Sequence, residues 1–305
     1  MAGGRRSSGV QSAALILLCA VAVAVAVAGS AVAKAEEPSD RKPDRIVSLN
    51  LCSDQILLDL VPKERIAALS ELVVDPALSG RVASARGVKL VRGHAEEVLV
   101  LAPDLVLAGE YSTPATVSLL RRLGINVVTV PLATDFAGIR AAIGAIAKAV
   151  GEERAGRAIV DDFDRRIEAA ARLSPSGAAK KSPTAIVYHV NSLASGAGSL
   201  LDEIVRAAGY HNAARDMRLG PGDRLPLETL ALQAPDTVVM ATAPEAFRTT
   251  AADNLRHPAF RAILAQRQSV HLPMPLWMCG TADVAGAVEQ LAAARLGIER
   301  REAAR

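Results

Sequence analysis

The apolar and polar positions of this chain alternate between two periods, and the switches mark its elements. Short apolar runs bounded by polar or Gly residues predict buried strands at Arg45–Asn50, Ala67–Leu69, Asp104–Ala108 and Asn126–Val130. Between them lie stretches of helical spacing: Asp54–Leu60, Glu96–Leu101, and Thr116–Leu123 closed by Gly124. From Phe136 the strands stop. Phe136, Ile139, Ile143, Ile146 and Val150 recur at helical spacing up to Gly151, and Ile159, Phe163 and Ile167 continue it over Glu152–Leu173. The alternation resumes after a Ser/Gly/Pro loop: a strand at Thr184–His189, a Gly/Ser loop at Ser195–Ser199, a helix at Leu200–Ala208 and a strand at Thr237–Met240. A helix at Ala259–Leu264, a strand at Ser269–Leu272 and a helix at Asp283–Leu296 complete it. Strands separated by helices predict a largely parallel sheet in each half, and hence an α/β fold of two lobes joined by helix, with a ligand cleft between them.

One phrase occurs twice. Glu96 stands seven residues ahead of Pro103-Asp104 and an apolar run, and Glu228 seven ahead of Pro235-Asp236 and another. Each copy predicts a short helix that ends near its Pro, because the residue before Pro is pushed out of the right-handed α region, followed by a buried strand. The offset, 228 − 96 = 132 residues, is too long for a solenoid and suits two small lobes of one plan. The predicted organisation is a leader at 36–44, a lobe at 45–134, a helical linker at 135–173, a loop at 174–183 and a second lobe at 184–305.

Composition changes this picture at the N-terminus. Arg5-Arg6, the apolar stretch Ala13–Ala28 and small residues before Ala33 or Ala35 predict a secretory signal peptide over 1–35, the apolar stretch falling short of the roughly 20 residues that span a bilayer. Its removal takes three of the 35 Lys and Arg and none of the 32 Asp and Glu, leaving 32 of each. The mature chain is near neutral, which argues against nucleic acid as a partner. Export leaves Cys52 and Cys279 where disulfides persist. A bridge would need their Cα atoms within about 7 Å, and an open cleft disfavours that, so two cleft-lining thiols are expected ahead of a disulfide, and metal ligation last.

Arg45-Ile-Val-Ser-Leu49, Leu123-Gly-Ile-Asn-Val-Val128, the Gly198-Ser-Leu-Leu201…Ala207-Ala-Gly209…Asn212-Ala213 run and the two Glu…Pro-Asp elements resemble, in order and spacing, the periplasmic binding proteins of iron-chelate and vitamin B12 importers, the helical-backbone class. The resemblance covers nearly all of residues 45–297. It implies a periplasmic carrier that takes a small-molecule metal chelate to the transmembrane permease of an ABC importer; a monomer without catalysis or a cofactor of its own is expected. It also implies that Glu96 and Glu228, with Glu97 as a substitute for Glu96, present carboxylates at the lobe tips to arginines of that permease.

Ligands of open α/β sheets bind beyond the carboxyl ends of the strands. That rule nominates Asn50, Cys52, Ser53 and Asp54 after the first strand, Glu110 and Tyr111 after the third, Asn191 and Ser192 after the first strand of the second lobe, and Trp277, Met278 and Cys279 after its last. Trp277 is the one tryptophan, in a loop where a large ring more readily meets a ligand than fills a core; the resemblance adds that vitamin B12 binders carry a Trp in the matching loop. The five histidines are scattered, which argues against a bare metal site. Haem binders of the family share a Gly-Tyr-x-Arg segment, where this chain has Gly93-His94. A secreted hydrolase is the other class, but Ser195-Gly-Ala-Gly-Ser199 is neither a nucleophile elbow nor a phosphate loop. The cleft candidates include no Arg cluster for an anionic catecholate, so a cobalamin-like corrinoid is expected ahead of a ferric siderophore or haem, with Arg92 and Arg215 as the available cations.

Overall fold

The computed structural model describes residues 41–173, 182–241 and 252–303. The expected signal peptide, most of the expected leader and most of the 174–183 loop lie outside these residues. The chain divides between Lys42 and Pro43, and both lobes belong to the part from Pro43 on.

The first lobe is built on a five-stranded parallel sheet. Its strands are β1 (Ile46–Ser48), β2 (Ile66–Ser70), β3 (Leu90–Val91), β4 (Leu105–Gly109) and β5 (Val127–Val130), in the order β3-β2-β1-β4-β5. Between them run α1 (Leu51–Leu60), α2 (Val82–Ala85), α3 (Ala95–Leu99) and α4 (Pro114–Arg122). Ile46, Val47 and Leu105–Ala108 are fully buried, the continuous apolar run of strands covered on both faces.

The predicted linker is two helices of different allegiance. The first, α5 (Phe136–Val150), packs against α1 and β5 and so belongs to the first lobe. Gly151, at φ 72°, ends it in the left-handed conformation that glycine adopts without penalty. Then α6 (Glu153–Arg172) runs back along it: Ala147 meets Gly156, Arg140 pairs with Asp164, and the Phe136 and Phe163 rings meet edge to face at 5.5 Å. This antiparallel pairing leaves α6, about 30 Å long at 1.5 Å per residue, as the connecting helix.

The second lobe has a mixed sheet, β11-β10-β6-β7-β9 with β8 beside β6. In chain order its elements are β6 (Thr184–Tyr188), β7 (Leu193–Ser195), α7 (Leu200–Ala207), β8 (His211–Asn212), β9 (Pro221–Arg224), α8 (Leu227–Gln233) and β10 (Thr237–Met240). After these come α9 (Asp253–Arg256), α10 (Pro258–Gln266), β11 (Gln268–His271) and α11 (Val284–Ala303). The parallel expectation holds for β6, β8, β10 and β11, but β7 and β9 are antiparallel. Their Gly, Ser and Pro content hid this edge, whose outer strand β9 is exposed along its whole length.

The repeat is one structure built twice. Ala102 and Ala234, each before its Pro, take left-handed φ values of 43° and 46°. The Asp104 carboxylate then accepts hydrogen bonds from Asp44 N and Arg45 N at 2.7 and 3.0 Å, and Asp236 accepts from Thr184 N at 2.8 Å. Each Pro-Asp therefore anchors its helix end to the start of its lobe's first strand.

Candidate functional site

The first wall of the cleft forms where β1 and β4 end. Asn50 caps α1, its Oδ1 accepting from Cys52 N at 3.0 Å and Ser53 N at 3.3 Å. Fixed this way, it lies across the last residue of β4: a Cβ on Gly109 would come within 2.5 Å of Asn50 Nδ2. Glu110 turns back to accept from Leu132 N at 3.2 Å, while Tyr111 is 80% exposed. A depression there is lined by Asn50, Cys52, Ser53 and Ile56, by Gly109, Glu110 and Tyr111, by Val130–Ala133 and Ala142, and by Gly280 of the other lobe. Glu110 is the one charged side chain among these residues. An adjoining depression shares Asn50 and Tyr111 and adds Arg92.

The floor joins the lobes. Cys52 and Cys279 form a disulfide with Cα atoms 5.1 Å apart, which corrects the expectation of two free thiols. That expectation assumed an open cleft. Instead the lobes touch beneath it: a Cβ on Gly280 would stand 2.3 Å from Ala133 Cβ, an approach that only glycine permits. One apolar cluster runs from Ile46 and Leu105 through Ile139 and Phe163 to Val239 and Val288, so the lobes share a core. Arg81 clasps the lobes, donating to Asp59 at 2.7 and 2.8 Å and to Asp283, just before α11, at 3.0 Å from each of two guanidinium nitrogens. Hydrogen bonds to Asp59, and then to Asp283, raise the guanidinium pKa against the cost of burial, so this cation is locked in its charged form.

The second wall contains a residue that the sequence reading passed over. His189 directly follows β6, a position the strand-end rule could have nominated. Its Nε2 is 2.7 Å from Ser195 Oγ and its ring centroid 5.8 Å from that of Trp277, with burial pushing the imidazole pKa down to about 4. This brings a serine and a histidine together, yet Ser195 is buried, and no carboxylate partners the other ring nitrogen among the described contacts. The pair holds β7 to the end of β6 and lacks the third member of a hydrolytic triad.

Trp277 is half-buried, its indole N–H donating to Leu272 O at 3.2 Å. Met278 packs against the shared core, and Asn191 sits exposed in the β6–β7 turn at φ 59°. None of these three lines the depression, whereas Asn50, Cys52, Ser53, Glu110 and Tyr111 do, and Cys279 is joined to it through Cys52. Asp54 is fully buried behind that wall. Burial pushes its carboxyl up to about 7 despite hydrogen bonds from Ser48 and Ser70 that pull it down.

Glu96 and Glu228, in the first turns of α3 and α8, are both exposed. Glu97 instead accepts from Arg92 N at 2.8 Å, a bond that lowers its pKa, so it serves the start of α3. The two cations differ in placement: Arg92 borders the cleft, paired with Glu71 at 3.1 Å, whereas Arg215 pairs with Asp202 at 2.6 Å away from the depression. Among the described residues no group of three or more His, Cys, Asp or Glu could hold a metal ion, and no helix is long and apolar enough to cross a membrane.

Two α/β lobes on a connecting helix, with strand ends converging on a cleft, make an architecture that can hold a small molecule between two walls. The profile of the family described as periplasmic binding protein matches residues 46–269, and the chain belongs to that family. The chain is 27% identical over 215 residues to the cobalamin-binding protein of Halobacterium salinarum, a match covering 70% of this chain and 58% of that protein's length. Among solved structures it resembles the periplasmic heme-binding protein RhuT from Roseiflexus sp. RS-1, at 20% identity and a TM-score of 0.67 over 83% of this chain and 97% of that one. It also resembles the periplasmic vitamin B12 binding protein BtuF of Vibrio cholerae, at 18% identity and a TM-score of 0.62 over 83% and 97%. These two likenesses establish the fold.

Proposed function

We propose that this chain captures a metal chelate, a cobalamin-like corrinoid in the first place, and delivers it to the permease of an ABC importer at the cell envelope. The observation that carries the corrinoid reading is the lining of the first depression: an amide, hydroxyls, apolar side chains and a single carboxylate, Glu110. A corrinoid bordered by amides needs such contacts, whereas the carboxylates of haem or the oxygens of a ferric catecholate call for cations. The curated relative is itself described as cobalamin-binding. The ligand would lie between the Asn50–Tyr111 wall and the Trp277–Cys279 loop. Glu96 and Glu228, exposed at the two tips, would dock the loaded protein.

A second reading, haem or a ferric siderophore, is favoured by Arg92 and Tyr111 in the adjoining depression, where a cation and a phenol stand together. Titration of the purified protein with cyanocobalamin, haemin and ferric enterobactin, followed by absorbance and by Trp277 fluorescence, separates the readings. Saturable binding of cyanocobalamin with quenching is expected. Tight haemin or ferric enterobactin binding with none of cyanocobalamin would replace the first reading by the second.

A further inference from the structure

The lobe tips share more than a carboxylate. Val100 and Leu232 follow Glu96 and Glu228 by four residues each and keep the same offset of 132 (232 − 100). Two places after each Glu the chain turns inward, with Val98 and Leu230 both 0% exposed; four places after, it turns out, with Val100 at 81% and Leu232 at 85%. Together with Tyr111 in the cleft, these are the most exposed large apolar side chains among the described residues. A lone exposed Val or Leu is ordinary. Two at equivalent positions of two lobes, each beside an exposed Glu, are not explained by packing, since neither fills a core.

Geometry puts each pair on one surface. Residues i and i+4 of a helix are neighbours on one face, so each tip offers a carboxylate and an aliphatic group side by side. Both tips are held firmly, because the left-handed Ala and the anchored Asp after each helix tie it to the sheet. An epitope present twice on one chain is matched by a partner carrying its acceptor twice, which is what a two-fold symmetric dimer supplies.

We infer that Glu96 with Val100 and Glu228 with Leu232 are two copies of one docking epitope, received by a dimeric membrane protein that presents, twice, a cationic side chain beside an apolar socket. The inference rests on the permease reading above and adds the apolar half of the contact. Carboxylates steer the encounter and respond to salt, while a desolvated aliphatic knob slows departure.

The test uses the labelled full chain and membrane vesicles from the source organism. Val100→Ser with Leu232→Ser should weaken vesicle binding by about tenfold or more, with the salt dependence and the affinity for cyanocobalamin or haemin unchanged. Glu96→Ala with Glu228→Ala should weaken binding and flatten its salt dependence. Wild-type binding by the Ser pair alongside loss in the Ala pair would overturn the apolar contact and leave carboxylate docking standing. No loss in either pair would overturn both. Each single Ser variant should lose a similar share, and a loss confined to one tip would refute the duplicated epitope. A dimer in sedimentation that the Ser pair dissolves would reassign the surface to self-association and also overturn the inference.

Discussion

Removing the Cys52–Cys279 bridge, by Cys52→Ala with Cys279→Ala, should be among the costliest changes this protein can bear without losing its fold. The bond closes a loop across a sequence separation of 227 residues. Chain-entropy theory assigns such a loop about 18 cal/mol/K, or roughly 5 kcal/mol at 25 °C, and native bridges commonly fall in the range of about 2–5 kcal/mol. The folded geometry should survive, because the Gly280–Ala133 approach and the Arg81 clasp hold the lobes independently of the sulfurs. Alanine avoids placing a hydroxyl at Cys279, which is 1% exposed. Guanidinium denaturation should show a lowered midpoint and a somewhat steeper slope, since the released chain exposes more surface when unfolded. Dithiothreitol should impose the same loss on the wild type and none on the variant. A double variant within about 1 kcal/mol of wild type would show that the bridge does not constrain the unfolded chain as this reasoning requires.

Other consequences concern protons, the cleft and the repeat. Asp54 titrates near 7 when folded against 3.8 unfolded, so the folded state holds the extra proton and stability falls as pH rises from about 4 to 7; His189, near 4 against 6.5, does the reverse over about 4 to 6.5. Asp54→Asn should therefore gain stability relative to wild type as pH rises through that window, and a flat difference in denaturation midpoints would contradict the burial assigned to Asp54. Trp277→Ala should weaken cargo binding by about 1–3 kcal/mol and abolish the fluorescence signal; unchanged affinity by calorimetry would place the ligand away from that loop. Asp104→Ala and Asp236→Ala should each cost about 1 kcal/mol in thermal unfolding, whereas a loss at one position alone would break the equivalence of the two copies. X-ray scattering with and without cargo should nearly superimpose, because helix, shared core and disulfide all join the lobes, and a marked contraction would refute that rigidity.

Two lobes, the order of their longer strands and helices, and the twice-used Glu…Pro-Asp phrase were legible in the sequence, because burial on both faces of a parallel sheet and helical periodicity are local signals that a short window carries, whereas short elements such as β3 (Leu90–Val91) and β8 (His211–Asn212) carry none. The strand-end rule needs only the end of each strand, and of the residues it nominated Asn50, Cys52, Ser53, Glu110 and Tyr111 line the first depression while Asn191, Trp277 and Met278 do not. His189 escaped it because the predicted strand, Thr184–His189, runs one residue past the end of β6 and takes the histidine in as its last residue. The antiparallel edge at β7 and β9 was hidden because Gly, Ser and Pro leave no hydrophobic pattern there. Only the tertiary structure decided that α5 belongs to the first lobe, that Gly280 meets Ala133, and that Cys52 and Cys279 bond. Those outcomes depend on distances between segments more than a hundred residues apart, or on which face of a helix finds a neighbour, and the packing of the whole chain sets both.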